Sequence, residues 1–486
     1  MLFRSEAGDS VFCKFHWSPK AGTHSLVWDE AVKISGADPD YHRRDLWDRI
    51  EAGAFPEWEF GVQVFTQEQA ETFSFDILDS TKLIPEELVP VQMLGRLVLN
   101  RNPDNFFAET EQVAFCTAHV VPGIDFSNDP LLAGRIHSYV DTQISRLGGP
   151  NFHELPINAP LAQVHNNQRD GMHRQAIPRG RVAYEPNSLA GGCPFQAGAA
   201  QGFVTVSSRQ QADDIQDKVR AKPEKFADHF TQATLFYESQ TPVEQAHIAA
   251  AFRFELSKVT VPAIRERTVS MLRNASESLA QKIADGLGME MMPDAMPKAL
   301  ETPESPEIMS SPALSLLFRP GELGIKARKV ALLVADGVDG AALMDVHRML
   351  AEQGAVPKLI APRIGPVKTS KGVTMMADAS FETEPGFLFD AVVLPDGQDA
   401  VTALTKDALA IEFVRNQYRH CKAMLVLGAS TALMTKADIP DALADGMADP
   451  GIIITSNGEL EDGMDKFVKA IEKHRHFERE TDPPRV

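Results

Sequence analysis

Residues 123–158 read GIDFSNDPLLAGRIHSYVDTQISRLGGPNFHELPIN and contain a complete helix with its own start and stop signals. Asp129 followed by Pro130 is typical of an N-cap and a first helical position. Gly148, followed by a second glycine and a proline, predicts the end of the helix, because glycine adopts the left-handed conformation beyond a helix C-terminus. The sequence therefore predicts one long helix in this region.

One face of that helix carries an unusual set of polar side chains. Spacings of four, three and four residues place the set on one side of the helix: Arg135, Tyr139, Thr142 and Arg146. One interpretation is a solvated basic face, since runs of charge usually face water. The other is a binding site, in which one arginine keeps the phenol ionised and the second binds an anionic group of a ligand. Spacing alone leaves both interpretations open.

Composition indicates a soluble, multidomain chain. The 486 residues exceed one ordinary core, and 43% hydrophobic residues with 24% charged residues are typical of globular proteins. A net charge of −19 argues against nucleic acid as a partner. No apolar run approaches the ~20 residues that span a membrane. The four cysteines lie far apart without a CxxC pair, and no targeting segment is visible, so we predict a cytoplasmic protein.

The fold class that we predict is α+β multidomain. Residues 1–150 contain long strands with few helices, which predicts part of an antiparallel β-barrel or sandwich that also carries the helix described above, and the family resemblance given below implies the barrel. The strands begin abruptly, so we expect the rest of that sheet to lie outside these 486 residues. Residues 151–207 are rich in proline, glycine and asparagine and are predicted to form a wrapping segment. Residues 208–288 are predicted to be a helical domain, with two amphipathic helices in 242–288.

Two further expectations concern the first region. Its opening part contains every tryptophan of the chain and is therefore predicted to be rich in core: Trp17, Trp28, Trp47 and Trp58. Residues 112–121, QVAFCTAHVV, are apolar enough to predict a strand directly before the helix.

The last part of the chain has a different pattern. Residues 289–328 are predicted to be a linker, because their first part is rich in methionine, proline, serine and glutamate. Residues 329–486 contain five short apolar runs that alternate with helical stretches. Buried parallel strands with crossover helices give this pattern, so we predict a doubly wound, flavodoxin-like α/β domain. Neither GxGxxG nor a P-loop occurs in it, so a nucleotide site has no local support.

Around the central helix the sequence resembles the haem catalases, specifically the large-subunit kind with a C-terminal α/β domain. The resemblance extends from about Phe12 to the end of the chain. Its motifs are long and ordered: Arg101-Asn102-Pro103-Asp104-Asn105-Phe106-Phe107, Pro122-Gly123-Ile124-Asp125-Phe126, Asn128-Asp129-Pro130-Leu131-Leu132, Gly134-Arg135, Ser138-Tyr139, Arg146-Leu147-Gly148-Gly149-Pro150-Asn151-Phe152, Pro156-Ile157-Asn158, Gln168-Arg169-Asp170-Gly171-Met172 and Tyr184-Glu185-Pro186-Asn187-Ser188.

The resemblance implies a haem cofactor and disproportionation of hydrogen peroxide to water and oxygen. Tyr139 is similar to the proximal tyrosinate that binds the haem iron. Tyrosine is the known axial ligand of catalases, so this role is carried over from the family and not worked out from spacing. Arg135 is implied to keep the phenol ionised, and Arg146 to bind a haem propionate. Phe115 is implied to lie near the haem edge. The family also implies a homotetramer.

The sequence departs from the family at the opposite side of the haem. The distal histidine motif of the family, R-x-x-H-A-R-G, has no match in these residues, and the distal asparagine also belongs upstream of the resemblance. We therefore expect this chain to be the C-terminal majority of a catalase. The alternative hypothesis is a catalytically silent remnant that only binds haem or associates with other subunits. A third has the α/β domain acting alone as a chaperone-like module.

Two residues near the helix differ from the residues usual in catalases, and one turn of the α/β domain differs from the proteins that this domain resembles. Cys116 is expected to be a small buried hydrophobe, and His137 a packed or hydrogen-bonded histidine. The α/β domain resembles class I glutamine amidotransferases and DJ-1 type proteins, in which a nucleophilic cysteine follows a strand. Leu427 stands at that position and offers no nucleophile. Ser430 is expected to be a helix N-cap, and the domain to serve stability or assembly.

Overall fold

The computed structural model describes residues 1–5, 7, 9–121, 123–161, 169–177, 179–181, 187, 189, 192, 223–301 and 306–486. These residues form two compact units, each made of separate stretches of the chain. The first unit contains residues 1–18, 58–240 and 259–315. The second contains residues 19–57, 241–258 and 316–486. Most of the predicted wrapping segment, residues 151–207, lies outside the described residues.

A five-stranded sheet organises the first unit. Its strands lie in the order β4-β3-β2-β1-β5. In chain order they are β1 (Leu2–Arg4), β2 (Ser10–Pro19), β3 (Glu57–Phe65), β4 (Gln92–Val98) and β5 (Ile124–Asp125). β1 pairs antiparallel with both neighbours, with Leu2 opposite Phe12 and Phe3 opposite Ile124. The sheet is open over the described residues, so the predicted closure into a barrel stays a prediction.

The tryptophans do not build the core of this region, so that prediction is wrong. Trp17 is 53% exposed, although its ring lies 4.4 Å from that of Phe60. The buried cluster of the first unit instead uses phenylalanine and aliphatic residues at the end of β3 and after it: Phe65, Ala70, Phe73, Phe75, Ile84 and Val89. Aromatic residues in a strand alternate between two faces, and the sequence does not reveal which face is covered.

Short helices complete the first unit. They are α3 (Gln67–Thr72), α4 (Pro130–Leu147), α5 (Thr231–Glu238), α7 (Pro262–Leu272) and α8 (Glu277–Gly286). A further helix, α6 (Pro242–Ser257), belongs to the second unit. Residues 242–288 thus contain three helices, and the prediction of two is wrong. Pro262 is the first residue of α7, and Ser276 caps α8 by accepting the Leu279 N–H. These two starts divide the region into separate helices, although the helical spacing of apolar residues continues across them.

The stretch after α8 is irregular but not loose. The carbonyl oxygens of Pro293, Asp294 and Met296 accept hydrogen bonds from side chains of α7 and of the turn that follows it. Ser311 is fully buried, and its backbone N–H donates a hydrogen bond to the hydroxyl oxygen of Ser239 at 2.8 Å. This part of the predicted linker therefore packs against helices of the first unit.

A parallel sheet forms the core of the second unit. Its order is β10-β7-β6-β11-β12-β13, and all its pairings are parallel. The strands are β6 (Lys329–Leu333), β7 (Val356–Ala361), β10 (Ala379–Ser380), β11 (Ala391–Leu394), β12 (Ala423–Leu427) and β13 (Ile452–Thr455). A separate hairpin joins β8 (Gly365–Lys368) to β9 (Thr374–Ala377). The five apolar runs in the sequence are confirmed as parallel strands.

Helices surround this sheet. They are α1 (Trp28–Ala37) and α2 (Tyr41–Glu51) from the early segment, and α9 (Gly340–Glu352), α10 (Gln398–Leu404), α11 (Ala408–Arg419), α12 (Thr431–Lys436) and α13 (Leu460–Glu472). From β6 the chain adds β7 and β10 on one side of the sheet, and from β11 it adds β12 and β13 on the other side. The point between β6 and β11 is therefore the topological switch point, where doubly wound sheets form a crevice at their carboxyl edge. Within the described residues, no helix is long and apolar enough to cross a membrane.

Buried histidines make the stability of the second unit dependent on pH. Burial and a neighbouring arginine lower the pKa of His24 and of His476 to about 4, and burial with Arg475 also lowers that of His474. An unfolded histidine titrates near pH ~6.5. The stabilising contribution of these neutral rings is therefore complete above pH ~6.5 and is lost as the pH falls towards ~4.

We expect the urea midpoint of the chain to fall steeply between those two pH values. His24→Asn removes one of the groups and is expected to make that dependence shallower, whatever it does to the absolute stability. His137→Gln, at an exposed position, is the matched control. An unchanged pH dependence in His24→Asn would contradict the assignment.

Candidate functional site

Helix α4 begins and ends as its sequence predicts. The Asp129 carboxylate accepts hydrogen bonds from the N–H groups of Leu131 and Leu132 at 2.8 and 3.2 Å. Pro130 is the first helical residue, and Gly148 lies in the left-handed region with φ of 81°. Because both ends are capped by local residues, the helix has a fixed register, and every side chain on it has a defined direction.

Tyr139 and Arg135 lie one turn apart on an exposed side of α4. The Tyr139 side chain is 36% exposed, and Arg135 is also exposed. Within the part of the chain that the structure describes, neither side chain makes a hydrogen bond or an ion pair. Residues four apart lie on the same side of a helix, so the phenol and the guanidinium share one exposed face of α4.

Arg146, on the same helix, is already bonded within the chain. Its guanidinium donates to the carbonyl oxygens of Glu111 and Val113 and, at 2.6 Å, to the Oε1 atom of Gln143. Its two terminal nitrogens therefore hold the segment that precedes the helix. The implied contact of Arg146 with a haem propionate stays a prediction. Among the described residues, the Nε atom of Arg146 has no hydrogen-bond partner.

The segment before α4 is not a strand, so the prediction for residues 112–121 is wrong. A single turn of π-helix, Phe107–Glu111, leads into irregular backbone there. Side chains, and not a neighbouring strand, form the hydrogen bonds to the backbone N–H and C=O groups of this segment. Asn158 accepts the Ala114 N–H at 2.8 Å and donates to the Gln112 carbonyl at 2.9 Å. Gln143 donates to the Phe115 carbonyl at 3.3 Å.

We call this set of side chains the clasp: Gln143, Arg146 and Asn158. It fixes the backbone that leads up to Phe115 and the carbonyl of Phe115 itself, while the Phe115 ring is 76% exposed. The sequence analysis did not identify Gln143 or Asn158 as part of the site. Asn158 belongs to the Pro-Ile-Asn motif quoted above, but nothing local indicates which backbone groups it binds.

Removing Asn158 is expected to loosen the clasp. Asn158→Ala deletes hydrogen bonds to three backbone positions, including one of 3.0 Å to the Phe152 carbonyl. We expect a loss of about 1–3 kcal/mol in the free energy of unfolding, since partly buried backbone groups lose their partners. Urea unfolding measures this loss. Asn100→Ala, at an exposed position, is the control, and equal losses in both variants would contradict the role of the clasp.

Two smaller predictions near α4 concern Cys116 and His137. Cys116 was expected to be buried, and in the structure it is a half-buried free thiol. His137 is exposed, so the prediction of a packed or hydrogen-bonded ring is wrong. Its position two residues before Tyr139 turns it towards solvent instead of towards a neighbouring element. Residue His165, which lies in a motif shared with the catalases, is outside the described residues.

Comparison with known families covers most of the sequence. The family model described as Catalase matches residues 2–191. The model described as Catalase-related immune-responsive matches residues 223–287. The C-terminal domain found in long catalases matches residues 326–481.

Named relatives match nearly the whole chain. Catalase HPII of Pseudomonas putida is 48% identical over 97% of this chain and 64% of its own length. Catalase-B of Dictyostelium discoideum is 42% identical over 99% of this chain and 67% of its own length. This chain belongs to the catalase family. It spans about two thirds of the length of these catalases, so their activity is treated below as a proposal for these 486 residues.

Two features of this catalase-family chain are compatible with a haem group. The phenol of Tyr139 has no partner among the described residues, and Arg135 stands one helical turn before it. The exposed ring of Phe115 offers an apolar surface of the kind that a flat macrocycle packs against. No group of three or more histidine, cysteine or carboxylate side chains that could hold a metal occurs among the described residues.

The α/β domain of this catalase relative has a closed turn where related folds place a nucleophile. Leu427 is fully buried at the end of β12. Ser430 stands at the N-cap position of α12, but its hydroxyl donates to the Pro395 carbonyl and does not cap the helix. Asp396 accepts the N–H groups of Gly397 and Ala429 at 2.7 and 3.0 Å. A carboxylate of the chain itself thus occupies the backbone donors of this turn.

Proposed function

We propose that this chain is a haem-binding polypeptide of the catalase family and that it acts on hydrogen peroxide, forming water and oxygen. The observation that supports the proposal most strongly is the pair Tyr139 and Arg135, one turn apart and both without partners among the described residues. They stand on a capped helix in a chain that shares nearly half of its residues with Catalase HPII.

In this proposal Tyr139 is the proximal ligand of the iron. A free phenol has a pKa of ~10, so at neutral pH it needs a positive neighbour and a metal to stay ionised. Arg135 is placed to be that neighbour, because residues four apart lie on the same side of a helix. Haem, when bound, supplies the redox chemistry with peroxide, and an anionic ligand favours its oxidised state.

The clasp has a supporting role in the same proposal. Arg146 and Gln143 bind the backbone before Phe115, so they set where the exposed Phe115 ring stands relative to the face of Tyr139. Arg146 additionally has its Nε atom for a propionate, as the family implies. Precise placement of such apolar and charged contacts is what positions a reactive cofactor within a protein.

No residue of this sequence matches the distal histidine motif of the family. A general acid–base group typically contributes about 10²–10⁴-fold to a rate. We therefore propose that peroxide disproportionation by these 486 residues alone is slower than that of a complete relative by a factor of that order. The alternative, haem binding or subunit association without activity, has the same observation in its favour. As in the family, we propose a homotetramer, and the cysteine pattern supports a cytoplasmic location.

Oxygen evolution by the haem-loaded chain tests this proposal. The purified chain is titrated with haem, freed of excess haem, and mixed with peroxide in an oxygen electrode. Oxygen release above that of free haem at equal iron concentration is expected. A rate no higher than free haem, with haem bound, would favour the non-catalytic alternative. Failure to retain haem at all would contradict haem binding in either form and would leave only subunit association.

A further inference from the structure

The early segment of residues 19–57 is clamped in the second unit by backbone contacts. The Thr23 N–H donates to the Arg319 carbonyl at 3.1 Å, and the Glu322 N–H donates to the Lys20 carbonyl at 2.9 Å. Gly22 has a φ of 82°, and a Cβ there would lie 2.2 Å from the Pro320 carbonyl oxygen. Only a glycine permits so close an approach of two backbones.

A buried ion cluster joins helix α1 of this segment to the α/β domain. Glu30 and Lys422 are each 1% exposed, and their charged atoms lie 2.7 Å apart. Arg475 lies 3.0 Å from the same carboxylate oxygen. Burial alone would raise the pKa of Glu30, but Lys422 and Arg475 together lower it, so the carboxylate stays ionised. Burial and, to a smaller extent, the neighbouring Arg475 lower the pKa of Lys422, while Glu30 opposes that shift.

The cluster lies at the amino edge of the parallel sheet. Arg328, Asp390 and Lys422 directly precede the three central strands β6, β11 and β12. Helices α11 and α13 also end at this edge, followed by Cys421 and His474 with φ of 59° and 70°. Non-glycine residues hold such angles only where their surroundings force them. Helix C-termini carry partial negative charge and so favour the cations at this edge. Those cations are buried, and a carboxylate beside them offsets their charge.

Further contacts of α1 surround the cluster. Asp29 lies 2.9 Å from the buried ring nitrogen of His420, and a hydrogen bond from that histidine lowers the pKa of the Asp29 carboxyl. The Lys33 ammonium donates to the Asn416 side chain at 2.8 Å. On the opposite side of α1, the ring of Trp28 meets that of Phe254 at 5.8 Å. Both charged and aromatic contacts therefore hold the first half of α1 in place.

We propose that the amino edge of the α/β sheet is an internal docking socket for residues 19–57, with Glu30 as the charge that selects the segment. Residues 19–57 connect β2 to β3, so the socket holds the connection between two strands of the first sheet. Docking of this segment is then a contribution of the α/β domain to this protein. This inference does not depend on haem.

The incomplete bonding of the cluster agrees with a role in selection. The second carboxylate oxygen of Glu30 and the Nε atom of Arg475 are buried without a partner among the described residues. Buried ion pairs add little net stability compared with apolar packing, but they penalise every arrangement that leaves one charge alone. A segment without an anion at position 30 would remove the carboxylate that pairs directly with Lys422 and Arg475 and would leave only the more remote charge of Asp390 to offset them.

Hydrogen exchange on the full chain tests the socket. Glu30→Gln keeps the shape of the side chain and removes its charge, and Asp48→Asn on α2 is the exposed control. We expect the amides of Trp28–Ala37 to exchange at least about tenfold faster in Glu30→Gln, while β6, β11 and β12 keep their protection. Asp48→Asn is expected to exchange like the unmodified chain.

Protection of Trp28–Ala37 equal to that of the unmodified chain would overturn the proposal. If Glu30→Gln does not fold, Lys33→Met at the rim of the socket gives the same test with a smaller perturbation. Faster exchange confined to the early segment then supports the socket, and unchanged exchange in that segment overturns it.

Discussion

Replacing Tyr139 with phenylalanine is expected to remove the iron ligand and to weaken haem binding more than any other single change on α4. The phenol oxygen is the atom that differs between the two side chains, and it has no partner among the described residues whose loss could unfold the helix. Loss of an outer-shell partner costs a metal site roughly 10–100-fold in affinity. Loss of the ligand itself should exceed that range.

Haem titration followed by absorbance measures this effect. Tyr418→Phe removes a phenol from the second unit and is the matched control. Arg135→Leu keeps the phenol and removes the neighbouring cation, so an intermediate loss of roughly 10–100-fold is expected. Equal haem affinity in Tyr139→Phe and in the unmodified chain would contradict the assignment of Tyr139.

Replacing Lys422 with methionine is expected to destabilise the second unit more than the same replacement at an exposed lysine. The ammonium group lies 2.7 Å from Glu30 and donates to the Phe389 carbonyl at 2.6 Å, and the side chain is almost completely buried. Removing one partner of a buried ion pair typically costs about 3–5 kcal/mol, because the other charge stays in the interior. Arg475 compensates Glu30 only in part.

Urea unfolding of Lys422→Met measures this loss. Lys358→Met is the control, since its ion pair with Glu384 also spans 2.8 Å but both side chains are about one third exposed. Exposed pairs contribute about 0–1 kcal/mol. Adding Glu30→Gln to Lys422→Met should cost less than Glu30→Gln alone, because the two residues interact directly. A loss in Lys422→Met no larger than in Lys358→Met would contradict the account of the cluster.

The features that sequence predicted well are those whose signals are local. Asp129, Pro130 and Gly148 delimit α4 without any help from the rest of the chain. The buried strands of the second unit are short, continuous apolar runs such as Val330 to Leu333, and such runs are typical of a parallel sheet covered on both faces.

The features that sequence missed depend on partners far away along the chain. Glu30 and Arg475 are separated by 445 positions, and neither has a neighbour in sequence that indicates the other. The clasp around Phe115 replaces a strand with side-chain hydrogen bonds, and an apolar run such as QVAFC is equally compatible with both. The break at Pro262 was hidden because apolar spacing continued beyond it.

The identity of the iron ligand is the central claim, and resonance Raman spectroscopy of the haem-loaded chain tests it most directly. We predict the vibrations of a ferric haem with a tyrosinate ligand in the unmodified chain and their absence in Tyr139→Phe. A spectrum of histidine or water ligation in the unmodified chain, or tyrosinate vibrations that persist in Tyr139→Phe, would contradict the account.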